Sequence, residues 1–161
     1  MASTYSNLLR FEKQTAGEND DTWGDKFNTL AELIEDSISG KASIAQGDVA
    51  NLTLSTANGV ADEARCMFVD VTGALTAARN VVVPTSSKFY VVRNSTTGGF
   101  AITVKTVAGT GVSIYNGKTA VLLCDGTNVV DPTDNKLSFS AGTGITFTQV
   151  GNVVRSEERR V

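Results

Sequence analysis

The apolar residues between positions 22 and 40 recur at a spacing that predicts one amphipathic α-helix. Successive members are four, three, four and four residues apart, so a helix places them on a single face. Carboxylates occupy its other faces, and we interpret them as a solvated surface rather than a metal or acid–base site. Gly40 stands where a C-terminal cap is expected. The apolar positions with this spacing are Trp23, Phe27, Leu30, Ile34 and Ile38.

From position 41 onward the apolar residues follow a period of two, which predicts short β-strands. Gly98-Gly99, Asn116-Gly117 and Asp125-Gly126 each separate two alternating segments, as the turns of β-hairpins do. Short strands with such turns between them predict an antiparallel β-sandwich or barrel over residues 41–131. Its candidate core residues are Phe89, Val91, Ile102, Val104, Val121 and Leu123.

A repeated motif marks the C-terminal part of the chain. The stretch AGTGVSIYNGK (108–118) has a partial second copy, AGTGITFTQVGN (141–152). The second copy carries Ile145 and Phe147 on a segment too short to bury them alone, so it is stable mainly if several chains wind together. We therefore expect residues 132–161 to form a linker, a short β-extension and a charged tail, intertwined in a homotrimer.

The first 21 residues are polar and irregular, and we expect them to form an N-terminal arm that either reaches a neighbour or frays. The complete prediction is a mainly β chain: arm, amphipathic helix over residues 22–40, antiparallel β-domain and β-extension. This division treats the chain as one modest domain with attachments, in keeping with its 161 residues.

The segment GTGVSIYNGKT (109–119) ends like a phosphate-binding loop, but its spacing and context exclude that interpretation. The motif requires four residues between its first glycine and the Gly-Lys-Ser/Thr end, whereas five separate Gly111 from Gly117. The Val- and Leu-rich residues that follow predict a returning strand in place of the helix that such a loop opens. We predict no nucleotide and no other cofactor.

The composition further restricts the classes of function that the chain can have. Charged residues make up 19% of the chain and the formal net charge is −3, so the basic stripe typical of nucleic-acid binding is missing. No run of apolar residues is long enough for membrane insertion. The chain has no histidine, the commonest proton shuttle and a common metal ligand, and we predict neither a catalytic nor a metal site. Cys66 and Cys124 lie in apolar runs and are expected to be buried free thiols.

Three stretches in combination resemble the small fibre or tail-adaptor proteins of tailed bacteriophages. TAGENDDTWGDKFNTLAELIEDSISG (15–40) is similar to the G-x-x-x-x-x-W-G opening near the N-termini of many phage fibre-like proteins. The alternating segment 52–131 looks like the β-domain that follows this opening. LSFSAGTGITFTQVGNVV (137–154) resembles the units that begin fibre shafts. Together the three stretches cover most of residues 15–154.

The resemblance implies a structural virion protein that acts by assembly and surface contact. It implies a homotrimer that contacts other tail or capsid proteins and a host surface receptor. The family's helix faces the virion, which makes the five apolar helix residues, together with Ile145 and Phe147, an expected assembly interface. The alternative is that the helix only covers the core of the β-domain. Family members often continue into a long shaft and enzymatic tip, whereas the third stretch here is followed by the charged RSEERRV (155–161).

Other functions stay open on the sequence alone. The resemblance implies a short fibre or adaptor, and the alternative is a capsid-surface decoration or head-fibre protein. A small tail hydrolase would need paired carboxylates, for which Asp62, Glu63, Asp70 and Asp125 are the candidates. A carbohydrate- or receptor-binding module would present aromatic rings on a rigid β-face, and Tyr115 is the candidate contact because it precedes a turn.

Overall fold

The computed structural model describes residues 3–133, 145–150 and 153–158. Within these residues the chain is mainly β with one helix, as the sequence predicts. An arm of two short antiparallel strands, β1 (Thr4–Tyr5) and β2 (Glu12–Lys13), precedes the helix α1 (Trp23–Ser39). The helix therefore lies within the predicted range and begins at the first residue of the apolar pattern.

Two sheets follow α1 in the part of the chain up to residue 133. The five-stranded sheet has the strand order β11-β10-β7-β5-β3, and the four-stranded sheet has the order β4-β6-β8-β9. The strands are β3 (Lys41–Ala45), β4 (Asn51–Thr53), β5 (Phe68–Thr72), β6 (Arg79–Val82), β7 (Lys88–Asn94), β8 (Ile102–Lys105), β9 (Gly111–Ile114), β10 (Thr119–Cys124) and β11 (Val129–Val130).

Strand direction differs from the prediction. β3, β5 and β7 are parallel to one another, and so are β4, β6 and β8. Antiparallel pairing is confined to β8–β9, β7–β10 and β10–β11 within these two sheets. The antiparallel part of the predicted sandwich or barrel is therefore wrong, because both sheets are mixed.

The parallel pairs arise because the chain alternates between the two sheets. From β3 to β8, consecutive strands lie alternately in the two sheets. Each strand therefore pairs in parallel with the strand two before it along the chain. This is the connectivity of a short β-solenoid with three coils. The antiparallel strands β9, β10 and β11 then end the stack, and a hydrogen bond from the N–H of Val129 to the carbonyl of Thr110 links the two sheets there.

Two of the three predicted hairpins are wrong for the same reason. Gly98-Gly99 lies between β7 and β8, and Asn116-Gly117 lies between β9 and β10, yet each pair of strands belongs to different sheets. Asp125-Gly126 does join paired strands, β10 and β11. All these glycines have positive φ, so the local turn is as expected. Turn chemistry reverses the chain without determining whether it returns to the same sheet.

The inner faces of the two sheets pack into one core. Tyr90, Val92 and Leu122 enter it from the five-stranded sheet, and Ile102 and Val104 enter it from the four-stranded sheet. The predicted inward orientation of Ile102 and Val104 is confirmed. Both residues are fully shielded from solvent.

The predicted orientation of β7 and β10 is wrong. Phe89 and Val121 are exposed, and Val91 and Leu123 are only half-buried, whereas Tyr90 beside them is completely buried. Both faces of these two strands carry apolar residues, so alternation alone does not reveal which face meets the core. The four residues predicted to be inside lie on the outer face of the five-stranded sheet.

The C-terminal segment contains a further strand pair. β12 (Ile145–Val150) and β13 (Val153–Glu158) pair antiparallel, in the region where a β-extension is predicted. The end of the linker predicted at residues 131–135, the rest of the stretch up to residue 144, and the side chains of Ile145 and Phe147 lie outside the described residues. Their contribution to an intertwined trimer stays a prediction.

Candidate assembly surface

The apolar face of α1 is turned toward solvent. Trp23, Phe27, Ile34 and Ile38 are each between 41% and 65% exposed, and Leu30 is half-buried. Leu33, which has no part in the predicted apolar spacing, is the helix residue that is buried. The helix therefore does not use its apolar face to cover the core of the β-domain. We call this face, Trp23, Phe27, Leu30, Ile34 and Ile38, the helix seam.

The first four residues of the helix seam have the spacing of a coiled coil, and the fifth, Ile38, falls at position e. Trp23, Phe27, Leu30 and Ile34 are four, three and four residues apart, which assigns them to heptad positions d, a, d and a. The rings of Trp23 and Phe27 stack with their centroids 5.6 Å apart. Under this assignment the helix carboxylates lie at positions b, c and f, away from the seam. These carboxylates are Asp25, Glu32, Glu35 and Asp36.

Polar contacts hold α1 without covering the helix seam. The Nζ of Lys26 lies 3.0 Å from a carboxylate oxygen of Glu12 in the arm, and the hydroxyl of Ser3 donates to the other oxygen of that carboxylate. The hydrogen bond from Ser3, followed by that from Lys26, lowers the pKa of Glu12. Near the other end of the helix, Ser37 lines a cavity together with arm residues that include Phe11. The helix is thereby fixed beside the arm, with its apolar face outward.

A second apolar surface lies on the outer face of the five-stranded sheet. The strand register aligns its six side chains in two adjacent rows that cross β5, β7, β10 and β11, and three of the six are between 38% and 51% exposed. At its margin the Nζ of Lys41 lies 5.3 Å from the ring centroid of Phe68. We call this surface the outer patch. Its residues are Phe68, Val91 and Val121 in one row and Phe89, Leu123 and Val130 in the next.

The carboxylates considered for a hydrolase all have structural partners. Asp62 pairs with a buried arginine, Glu63 accepts hydrogen bonds from a serine, Asp70 pairs with a lysine, and Asp125 accepts two backbone N–H groups within its turn. Hydrogen bonds lower the pKa values of Glu63, Asp70 and Asp125. A glycosidase acid needs the opposite shift, toward a raised pKa. Asp62, Glu63 and Asp125 therefore stabilise loops, and Asp70 links β5 to Lys41 of β3.

A buried arginine that the sequence does not reveal joins the arm to the β-domain. Arg65 is 2% exposed, and its guanidinium donates to Asp62 at 2.8 Å and to the carbonyl oxygen of Leu9 at 2.6 Å. The ring of Phe11 lies 5.3 Å from the same guanidinium. Residues 9–11 of the arm are thus docked on the β-domain of their own chain. The one sequence signal was an arginine placed directly before the apolar run Cys66-Met67-Phe68.

Lys88 is a second cation with a structural role that the sequence did not reveal, and it is half-buried. Its ammonium donates to the carbonyl oxygens of Ala64, Arg65 and Cys66, and its Nζ lies 4.7 Å from the ring centroid of Tyr90. Burial lowers the pKa of Lys88 to about 8. Because all three N–H groups bind one turn, Lys88 fixes the segment that carries Arg65.

The candidate receptor contact and the Gly-Lys-Thr segment lie side by side. Tyr115 is 73% exposed, so its ring is accessible to a partner. The N–H of Gly117 donates to the carbonyl of Asn94, and the N–H of Lys118 donates to that of Tyr115. These amides therefore bind the protein itself rather than a phosphate group. Thr119 begins β10, as predicted.

The remaining chemical candidates are few in the part of the chain that the structure describes. Cys66 and Cys124 are buried and unpaired, as predicted. Among the described residues, no three His, Cys, Asp or Glu side chains are grouped to hold a metal ion. The helix of the described region is too short and too polar to span a membrane.

Comparison of the chain with protein-family models, with curated proteins and with solved structures finds no match. The resemblance to phage fibre-like proteins therefore rests on the three sequence stretches. The fold itself indicates function through two exposed apolar surfaces, the helix seam and the outer patch.

Proposed function

We propose that this chain is a structural virion protein of a tailed bacteriophage, a short fibre or tail-adaptor component that acts by assembly and surface contact. The observation that carries the proposal is the exposed helix seam. A contiguous apolar stripe on a soluble protein marks an interaction surface. The sequence stretches at 15–40, 52–131 and 137–154 support the assignment to phage fibre-like proteins.

The partner of the helix seam is another copy of the same helix in a homotrimer. Its coiled-coil spacing and the placement of its carboxylates at outer heptad positions let identical helices meet without opposing like charges. The partial AGTGITF repeat favours three chains, because such a segment gains a core only when copies wind together. The sheets then form a rigid body at the end of the helices, with Tyr115 accessible to a receptor.

The oligomeric state tests this proposal in solution. Phe27→Asp places a charge in the helix seam, whereas the matched control Asn28→Asp adds the same charge at an exposed position b. We expect the wild type and the control to have three times the chain mass of 16.9 kDa by light scattering. We expect Phe27→Asp to be a monomer with an unchanged circular dichroism spectrum. A monomeric wild type, or a trimeric Phe27→Asp, would contradict the proposal.

The location in the particle tests the virion assignment. Gold-labelled antibody against the β-domain, applied to purified particles of the phage that encodes the chain, should bind at the tail. Labelling over the capsid surface would instead favour a decoration or head-fibre protein. Absence of the chain from purified particles by mass spectrometry would refute a virion role.

A further inference from the structure

We infer that the outer patch is a second self-association surface and that another copy of this chain covers it. The inference rests on the homo-oligomer proposed above and adds to it a second contact between copies. In such an assembly the five-stranded sheets meet through their outer faces while the helices meet through their seams.

The helix seam offers too little surface to hold copies together alone. α1 has 17 residues, just over two heptads, whereas coiled coils are sustained over about three to four. A large side chain has a total surface of about 200 Å². The exposed fractions of the seam residues therefore amount to an apolar area on the order of 450 Å². A standard interface takes about 800 Å² from each partner. The exposed residues of the outer patch add on the order of 250 Å² on the same basis, which brings the total close to that size.

The chemistry of the outer patch fits a copy of itself. The six residues are all apolar and uncharged, so the patches of three copies can meet around the axis of a trimer without burying like charges. At the margin, Nζ of Lys41 lies 3.2 Å from a carboxylate oxygen of Asp70, and Arg93 lies opposite Asp70 in the row beyond the patch. A partner with a charged surface would find no counter-charge among the six patch residues.

The helix seam and the outer patch belong to one rigidly connected region. Gly40 is the single residue between α1 and β3, and the N–H of Phe68 donates to its carbonyl oxygen at 3.0 Å. Phe68 is itself a residue of the outer patch, so the end of the helix is hydrogen-bonded to the strand where the patch begins. Copies that associate through their helices therefore bring the strands at which the outer patch begins close together.

A charge inserted into the outer patch tests this inference. Val121→Glu places a carboxylate in the patch, and the matched control Thr119→Glu places one on the same strand and face, opposite Arg93 and outside the patch. We expect Val121→Glu to raise the protein concentration at which the oligomer dissociates by at least about tenfold. Thr119→Glu should change this dissociation concentration by less than about twofold. Light scattering on dilution measures both, and circular dichroism verifies the fold.

Chemical cross-linking provides a second measurement that does not depend on a destabilising substitution. Cys66 and Cys124 are buried, so a cysteine introduced at the surface reacts selectively. A short bismaleimide should join two chains of Val121→Cys. It should not join chains of Ser113→Cys, whose thiol lies on an exposed position of the four-stranded sheet.

The outcomes separate this inference from the proposed function. If Phe27→Asp dissociates the oligomer while Val121→Glu does not and Val121→Cys stays uncross-linked, the homo-oligomer stands and the second surface is refuted. If the thiol of Val121→Cys is shielded from reagents in a monomer, a segment of the same chain covers the patch, and the inference is also refuted. If Val121→Glu dissociates the oligomer and Phe27→Asp does not, the outer patch is supported and the helix seam is not the interface.

Discussion

Arg65 connects three segments through a side chain that is almost completely shielded from water. Its guanidinium contacts Asp62, the carbonyl oxygens of Ala57 and Leu9, and the ring of Phe11. The arm at residues 9–11 and the turn at 62–66 therefore depend on a single buried charge. Lys88 supports the same turn through hydrogen bonds to three of its carbonyl oxygens.

Replacement of Arg65 by methionine should destabilise the fold strongly. Arg65→Met keeps an unbranched side chain but leaves the carboxylate of Asp62 buried without its partner. Breaking a buried ion pair in this way costs about 3–5 kcal/mol. We expect the midpoint of urea unfolding to fall accordingly. The control Arg79→Met removes a partly exposed pair with Asp48 and should lower that midpoint much less. Equal losses in the two variants would contradict the role given to Arg65.

Arg65 and Lys88 show that a sequence does not disclose which charged residues will contact distant segments. In the sequence, Arg65 and Lys88 stand beside apolar residues, as many solvent-facing residues at the ends of strands also do. Their burial depends on an arm far away along the chain and on carbonyl oxygens of a turn, and neither has a recognisable spacing. The exposed Tyr115 and the buried cysteines were predictable, because each follows from its immediate neighbours.

At the scale of elements, α1 is the part of the fold that the sequence predicts best. A 3.6-residue apolar pattern can be satisfied by one conformation only, and the helix appears where the pattern lies. The orientation of β7 and β10 was not predictable in this way. Their two faces are both apolar, one for the core and one for the outer patch, so either assignment satisfies a period of two.

The junction between α1 and β3 requires glycine. A Cβ at position 40 would lie 2.5 Å from the carbonyl oxygen of Asp36, so Gly40→Ala must displace backbone. We expect this change to destabilise the chain by more than about 1 kcal/mol. Gly24→Ala is the matched control, since a Cβ there meets nothing within 4 Å and alanine favours the helix by up to about 1 kcal/mol. Thermal unfolding should shift in opposite directions for the two variants, and a parallel shift would contradict this account.

The molecule as a whole is a three-coil stack ended by antiparallel strands. This topology could not be predicted from the sequence. Glycine turns between short strands occur in hairpins and equally in crossings from one sheet to another. The decisive information is the long-range register, such as Leu52 beside Val81 and Val81 beside Val104. Two sheets around one core were predictable from the alternation, but their strand directions were not.

Self-association should appear in the thermal stability of the whole molecule. If folding and assembly are linked, the unfolding temperature rises with protein concentration. We expect calorimetry over a hundredfold range of concentration to show such a rise for the wild type and a constant temperature for Phe27→Asp. A wild-type unfolding temperature that does not depend on concentration would argue against an oligomer coupled to folding.

The order of strands in the five-stranded sheet has a mechanical consequence. The chain enters this sheet at one edge, β3, and leaves it at the opposite edge, β11. Tension between α1 and the residues after β11 therefore acts across the strands, in line with the hydrogen bonds of the ladder. Bonds loaded in this direction open one pair at a time, so a single chain yields at low force. In the proposed homo-oligomer, neighbouring copies would divide this load.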